Sequence, residues 1–305
     1  MKSLALSMLA IASIAATHSC SSENDPVDEV IAGNQEKVEI KLSAGVVGIQ
    51  QTKAPITTKD SFTPSIVGWD AADQPTTTTV PLWITTPDAA IAGDADKATI
   101  TLSNPQYYNP DNTKHTYIRG YFPVGSPADG KITFDNTNGD QDVMMTEVID
   151  AGTKDATKAT ELTFSHKLSQ LNIAIQKDVS LPAGVTLTSI TLKNANIPTG
   201  FDIVTGTITY TTSDLSIDGI TAGTSIDTKA TVGKAVMVEP FSDTKITLDV
   251  VTSQGTFEGI PVTLSAADEN GGTSYEVTLT FKQKEISTTA SVKDWTPGTG
   301  TGDVF

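Results

Sequence analysis

Short segments in which apolar and polar residues alternate recur along most of the chain after residue 37. An alternation with a period of two is typical of a β-strand that has one buried and one solvated face. Turn signals such as Asn-Gly, Thr-Pro and Glu-Asn-Gly-Gly separate the segments. We predict strands at VEIKL, VPLWI, KITF, TLTSITL, GTITY, KAVMV, TKITLDVV and YEVTLTF, which are residues 38–42, 80–84, 131–134, 186–192, 206–210, 234–238, 244–251 and 275–281.

Helical periodicity is weak by comparison. The best helical candidate is the segment 88–100, and its apolar residues do not keep a 3.6-residue spacing. Strands at short intervals with few helices indicate antiparallel sandwiches rather than a parallel sheet covered by helices. The predicted fold class is therefore all-β.

The segment ELTFSHKLSQLNIAI, residues 161–175, has the clearest pattern in the chain. Its apolar residues occupy even positions up to Leu168 and odd positions from Leu171 onward. In one continuous strand, such a change of face requires an extra residue. We therefore predict a single long strand with a β-bulge at Ser169-Gln170.

Two domains are predicted, because 305 residues are enough for two separate cores. A boundary is expected near residue 157, where the sequence is small, polar and contains glycine. The predicted domains are residues 38–156 and 157–285, and residues 286–305 form a tail.

The start of the chain has the pattern of an export signal. Lys2 precedes an apolar run that is too short to span a bilayer, and small residues lead to Cys20, the single cysteine. This arrangement, with residues 1–19 as the signal, resembles a bacterial lipoprotein signal in which the cysteine is acylated. Residues 20–37 are polar and acidic, as expected of a flexible tether. The alternative is an ordinary secretory signal, in which case Cys20 is incidental.

The amino-acid composition argues against several classes of function. There are 20 Lys and Arg against 36 Asp and Glu, a net charge of −16, so binding to nucleic acid through a basic surface is not expected. One cysteine and three histidines offer little for a disulfide framework, a metal site or a catalytic triad. We expect no catalytic residues, no metal and no cofactor, and hence a protein that is not an enzyme.

Three sequence features have both a chemical and a structural interpretation. His166 lies among core residues and is interpreted as a buried, hydrogen-bonded histidine rather than a catalytic base. The segment DNTNGDQD, residues 135–142, is interpreted as a solvated turn because carboxylates are missing from the end positions of a calcium loop. The tyrosines are compatible with core packing or with a sugar-stacking platform, and they are Tyr107, Tyr108, Tyr117 and Tyr121.

Several segments together resemble the fimbrillin family, whose members are exported subunits of type V pili. The resemblance covers nearly the whole chain, in the order of the family. It implies two transthyretin-like antiparallel β-sandwich domains with Greek-key connections, in a fimbrial subunit exported as a lipoprotein to the outer membrane and the cell-surface fimbrium. The similar segments after the first strand are QTKA (51–54), SIVGWD (65–70), YIRGYFPVG (117–125), GDQDVMMTE (139–147), LTFSHKLSQLNI (162–173), VMVEPF (236–241) and the tail (286–305).

The resemblance also implies an assembly chemistry. A trypsin-like protease is expected to cut between Lys53 and Ala54, with Lys59 as a competing site, and to release residues 38–53. A strand from another subunit then fills the vacated groove. The expected partners are other fimbrial subunits, the processing protease and the outer membrane through a lipid anchor.

The two strands involved in this exchange can be assigned to residues. Side chains that share one face of the first strand are expected to fill the groove, and the tail is the candidate donor, since backbone bonds and alternate side chains are what strand addition uses. The alternative is that both segments are edge strands of a non-polymerising surface lipoprotein that binds glycans or proteins. The residues are Val38, Ile40 and Leu42, extended by Ala44 and Val46, in the first strand, and Ile286, Ala290, Val292 and Trp295 in the tail.

Overall fold

The computed structural model describes residues 37–47, 60–93, 95–283 and 286–293. Every regular element in these ranges is a β-strand, which confirms the all-β fold class. Within the same ranges no helix is long and apolar enough to cross a membrane. Four residues of interest, Cys20, Lys53, Ala54 and Trp295, lie outside the described residues.

The first part of the chain, up to residue 157, contributes short strands. They are β1 (Leu42–Val46), β2 (Ser61–Phe62), β3 (Ser65–Ala71), β4 (Trp83–Thr85), β5 (Ile91–Ala92), β6 (Ala98–Ile100), β7 (His115–Phe122), β8 (Lys131–Thr133), β9 (Met144–Met145), β10 (Ile149–Asp150), β11 (Gly152–Thr153) and β12 (Ala156–Thr157).

Strands in the second part are longer. They are β13 (Glu161–His166), β14 (Ser169–Lys177), β15 (Thr186–Asp202), β16 (Ile208–Ser216), β17 (Thr224–Ser225), β18 (Ala230–Val238), β19 (Lys245–Thr252), β20 (Gly255–Thr263), β21 (Ser274–Phe281) and β22 (Ile286–Lys293).

Three sheets contain most of these strands. Sheet A has eight strands in the order β4-β3-β7-β9-β13-β1-β6, with β10 also paired to β7. Sheet B has four, β18-β14-β21-β22, and sheet C has six, β16-β15-β19-β20 with β17 and β8 also paired to β15. Because β8 comes from the first part of the chain, sheet C joins the two parts through backbone hydrogen bonds.

Three apolar cores lie against these sheets. Core 1 is enclosed between sheets B and C, and includes Leu171, Val277 and Leu248. Core 2 lies on one face of sheet A, and core 3 lies on its other face. Neighbouring residues of β3 show this directly, because Ile66 belongs to core 2 and Val67 to core 3.

The segment 161–175 differs from the prediction of one bulged strand. It forms two strands, β13 in sheet A and β14 in sheet B, and the chain crosses between them after His166. The apolar residues change parity because Phe164 faces core 2 whereas Leu171 faces core 1. The bulge predicted at Ser169-Gln170 is therefore wrong, and the register shift of β14 against β18 lies between Leu171 and Ile173.

One other strand prediction requires correction. The first strand begins at Leu42 rather than residue 38, and Glu39 forms only an isolated bridge with Tyr107. The segment 88–100, whose apolar residues do not keep a helical spacing, contains the short strands β5 and β6 and no helix among its described residues. The other predicted segments all overlap observed strands.

The expected domain boundary falls within continuous pairing. β13 follows residue 157 in the chain, yet it pairs with β1 and β9 in sheet A. The division into two transthyretin-like domains with Greek-key connections stays a prediction.

Candidate functional site: the slot of the N-terminal strand

The N-terminal strand β1 lies inside sheet A. It pairs in parallel with β13, from Ser43 opposite Glu161 to Val46 opposite Phe164. Its other side pairs antiparallel with β6, where Leu42 lies opposite Ile100. β1 is consequently not an edge strand, and the alternative that treated it as one is wrong on this point. The strand beyond it, β6, has three residues and ends the sheet.

The residues that precede and follow β1 also form backbone hydrogen bonds with the neighbouring segments. We call the channel formed by β13, β6 and residues 95–108 the N-terminal slot. Its flanking backbone hydrogen bonds are Ile40 N to Gln106 O (2.8 Å), Tyr108 N to Val38 O (3.0 Å), Val46 N to Ala95 O (2.8 Å) and Val47 N to Phe164 O (2.9 Å). The slot thus binds the backbone along residues 38–47.

Alternate side chains of this segment enter core 2. Ile40 and Leu42 are each 3% exposed, and Ala44 is fully buried. Val38 and Val46 are half-buried and pack against the same core. Apolar burial of this extent contributes roughly 5–10 kcal/mol as an upper estimate. The slot is therefore an apolar groove that is already filled by the chain's own strand.

Gly45 allows the closest backbone approach in the slot. A Cβ atom at this position would lie 2.2 Å from the carbonyl oxygen of Asp96. Contacts under about 3 Å require displacement of one partner, and here the partner is backbone. The slot consequently selects a residue without a side chain at this position.

An ion pair joins the two strands that flank β1. Lys97 Nζ lies 2.9 Å from Glu161 Oε2, and both side chains are substantially exposed. Glu161 is opposite Ser43, and Lys97 immediately precedes the residue opposite Ala44. The pair thus spans the outward face of β1. The hydrogen bond and the charge of Glu161 raise the pKa of Lys97.

The candidate donor strand β22 lies at the end of sheet B. It pairs antiparallel with β21 from Phe281 opposite Ile286 to Ser274 opposite Lys293. Its buried side chains face core 1: Ala290 is 4% exposed, and Ile286 packs against the same core. In this state, the tail strand completes its own chain's sandwich, and its role as a donor stays a prediction.

His166 is buried and hydrogen-bonded. Its Nδ1 atom lies 2.8 Å from Oδ2 of Asp142, and both side chains are almost completely buried. The pair connects the end of β13 to the segment before β9. His166 is the last residue of β13, where the chain leaves sheet A for sheet B. The bulge that was expected beside it is absent.

The acidic segment 135–142 is a turn held by its own side chains. Asn136 accepts a hydrogen bond from Gln141 N and donates to Pro198 O. Asp142 is directed to His166, away from the turn. Among the described residues, no group of three or more Asp, Glu, His or Cys is placed to hold a metal ion.

The tyrosines do not form an exposed platform. Tyr108 is buried and donates to Ala151 O, and Tyr121 is buried and donates to Gly125 O. Tyr117 is 9% exposed, whereas Tyr107 is 44% exposed. The sugar-stacking interpretation is wrong for these residues, since three of the four contribute to cores 2 and 3.

Sequence reasoning missed one wall of the slot. β6 and the residues after it lie in and beyond the segment that was considered for a helix. The signal was present in Ala98-Thr-Ile-Thr-Leu102, where Ile100 and Leu102 alternate with threonines, and both enter core 2. The segment is short, and its pairing with β1 brings together residues far apart in sequence.

Comparison with known proteins identifies the family. The sequence model of the family described as fimbrillin-like matches residues 52–295. The chain therefore belongs to the fimbrillin-like family. It is also similar to "Putative fimbrium subunit Fim1C" of Bacteroides uniformis, with 26% identity over 231 residues, 70% of this chain and 72% of that protein.

Solved structures share the fold. A "putative cell adhesion protein" of Bacteroides uniformis superposes with a TM-score of 0.57 at 21% identity, covering 85% of this chain and 99% of that one. A fimbrial protein of Bacteroides vulgatus superposes with a TM-score of 0.52 at 18% identity, covering 86% of this chain and 100% of that one.

Proposed function

We propose that this protein is a structural subunit of a cell-surface fimbria, exported as a lipoprotein anchored through Cys20 and polymerised by strand replacement. Family membership and a relative named as a fimbrium subunit support the fimbrial role. The filled apolar slot supports the mechanism, because it is a site that only an extended strand fits.

One observation carries the choice of donor. The segment that fills the slot reads Ile-Lys-Leu-Ser-Ala-Gly-Val at 40–46, and the tail strand reads Ile-Ser-Thr-Thr-Ala-Ser-Val at 286–292. The alternate residues Ile, Leu, Ala and Val of the first segment thus correspond to Ile, Thr, Ala and Val in the tail, with the same spacing. Because alternate side chains decide strand register, we align the tail of a second subunit in the slot with residue 286 at the position of residue 40.

Replacement begins with hydrolysis. Water adds across the Lys53–Ala54 peptide bond, leaving a carboxylate on Lys53 and an amine on Ala54. The strand is then held only by its hydrogen bonds and apolar contacts, and an equivalent strand of another subunit restores both. Since each subunit accepts at one end of its chain and donates at the other, the contact is head-to-tail and produces a filament.

Cleavage of the unprocessed, purified protein with trypsin tests this function. We expect a new N-terminus at Ala54 and SDS-resistant oligomers that appear only after cleavage. Lys53→Gln should abolish the N-terminus at Ala54, and the double variant Lys53→Gln with Lys59→Gln should also abolish the oligomers. Lys59→Gln alone should change neither. A cleaved protein that stays monomeric at high concentration would contradict polymerisation by strand replacement.

Gly45 supplies a sharper test of the register. In the aligned tail, Ser291 takes the position of Gly45, and its Cβ meets the Asp96 carbonyl. Ser291→Gly should therefore speed polymer formation after cleavage by about 3- to 10-fold, from relief of a contact of about 1 kcal/mol. Ser287→Gly is the matched control, because residue 287 takes the exposed position of Lys41. Equal acceleration by the two variants would exclude this register.

A further inference from the structure

Arg119 is a buried cation in the middle of β7. Arg119 as a whole residue is 3% exposed to solvent. Nε donates to Thr146 O at 2.7 Å, and Nη1 donates to Ile203 O at 3.1 Å and Val204 O at 2.6 Å. These three carbonyl groups fix the guanidinium plane between sheet A and the turn that follows β15.

The positive charge of this group lacks a close counter-ion. Among the described residues, no Asp or Glu oxygen lies within ion-pairing distance of Arg119, and Nη2 donates no hydrogen bond. Burial lowers the pKa of Arg119, and the more distant Glu147 and Asp202 act in the opposite direction. A buried cation is normally paired, since desolvation of an isolated charge is costly.

A cavity of about 460 Å³ adjoins the guanidinium. This volume lies in the range of about 300–1,000 Å³ of small-molecule sites. Gly206 keeps the side of Nη2 clear: its φ is +75°, and a Cβ there would lie 2.8 Å from Nη2. The carboxylate of Glu147 also lines the cavity; its side chain is largely exposed, and its Oε1 lies 3.7 Å from Lys167 Nζ. The remaining lining residues supply hydroxyl, amide and apolar groups, and they are Gln74, Pro75, Thr76, Thr77, Val148, Val204 and Thr205.

We propose that this cavity binds the carboxylate of an acidic sugar, with Arg119 Nη2 as its ion-pair donor. Threonine hydroxyls and the Gln74 amide are suited to sugar hydroxyls, and Val148 and Val204 offer apolar surface to a pyranose ring. A polyacidic protein segment is disfavoured, because Arg119 is the one basic residue among the described residues that line the cavity and can pair with a single carboxylate. The site is independent of polymerisation and does not involve the N-terminal slot.

Sodium D-glucuronate is the probe, and D-glucose is its control without the carboxylate. Titration of the full-length protein at low salt, followed by calorimetry and by ligand-detected NMR, should show saturable binding of glucuronate at least about 10-fold tighter than glucose. N-acetylglutamate amide should bind more weakly than glucuronate. Equal affinity for glucose and glucuronate, or tighter binding of the glutamate derivative, would overturn the proposal.

Two variants locate the binding. Arg119→Gln should remove the preference for glucuronate over glucose. Because that variant also loses structural hydrogen bonds, Thr77→Val provides a second test at an exposed position, with an expected loss of about 3- to 10-fold in glucuronate affinity. Thr256→Val, at an exposed position of β20, is the matched control and should bind as the unmodified protein does. Unchanged affinity in Thr77→Val, or an equal loss in Thr256→Val, places the ligand elsewhere and refutes the site.

Discussion

The two strands that the proposed assembly exchanges are bound in different ways. β1 is paired on both sides, by β13 and β6, and lies within sheet A. Among the described residues β22 is paired on one side only, by β21, and forms the end of sheet B. The ladder of β22 covers eight residues, whereas β1 is paired over four residues with β13 and over three with β6. The two strands thus differ in the number of neighbouring strands rather than in the extent of their pairing.

The two strands also differ in the buried side chains that they contribute to their cores. β1 presents Ile40 and Leu42 to core 2, both almost completely buried. At the position equivalent to Leu42, β22 has Thr288, which is buried and donates to Pro261 O at 3.0 Å. A buried threonine contributes less apolar burial than leucine, so β22 is the less strongly held of the two strands at this position.

The largest expected effect concerns these two equivalent positions. Leu42→Ala should lower the free energy of unfolding by about 2–5 kcal/mol, because it leaves a cavity in core 2. Thr288→Val, which keeps the shape and removes one hydrogen bond, should cost only about 1 kcal/mol. Urea unfolding of the uncleaved protein measures both. Similar losses in the two variants would contradict the difference between the strands.

Gly45→Ala should have the next largest effect. The added Cβ meets the Asp96 carbonyl at 2.2 Å, and the expected destabilisation is about 1–3 kcal/mol. Gly125→Ala is the control, since a Cβ there has its nearest contact at 3.4 Å, with Ile132 Cδ1. Thermal unfolding compares the two. If Gly45→Ala is as stable as Gly125→Ala, the slot does not restrict this position and the argument about Ser291 fails.

The smallest effect is expected at the ion pair across β1. Lys97→Ala should lower the melting temperature slightly at low salt, and the difference should disappear near about 1 M salt, where exposed charges are screened. Lys234→Ala breaks an exposed pair with Asp218 away from the slot and should show the same salt dependence. After cleavage at Lys53, only Lys97→Ala should accelerate release of the N-terminal strand. Equal release rates in the two variants would show that the pair does not secure β1.

The alternation of apolar and polar residues predicted most of the strands. It did not predict that residues 161–175 form two strands in different sheets. The apolar residues of this segment were identified correctly, and their change of parity was attributed to a bulge. The structure instead shows a crossing from sheet A to sheet B between His166 and Ser169. Both arrangements produce the same parity change in sequence. The sequence alone therefore could not distinguish them.

The same limit applies to the slot and to the buried arginine. The alternation around Ile40 and Leu42 indicated a half-buried strand, but not that it has a neighbour on each side. Arg119 lies in an aromatic segment that resembles the family, and nothing in that segment indicated that its guanidinium is buried beside a cavity. Its carbonyl partners include Ile203 and Val204, which are distant in the sequence.

By itself, the sequence determined the all-β class, most strand positions, the fimbrillin-like resemblance and the repeated Ile-x-x-x-Ala-x-Val series near the two ends of the chain. These properties follow from side-chain alternation and residue identity, which are local. Only the tertiary structure decided that β1 lies between two strands and β22 beside one, and that Arg119 has no close carboxylate among the described residues. These depend on which distant segments pair and pack, because hydrogen-bond ladders and buried charges are satisfied across the whole fold.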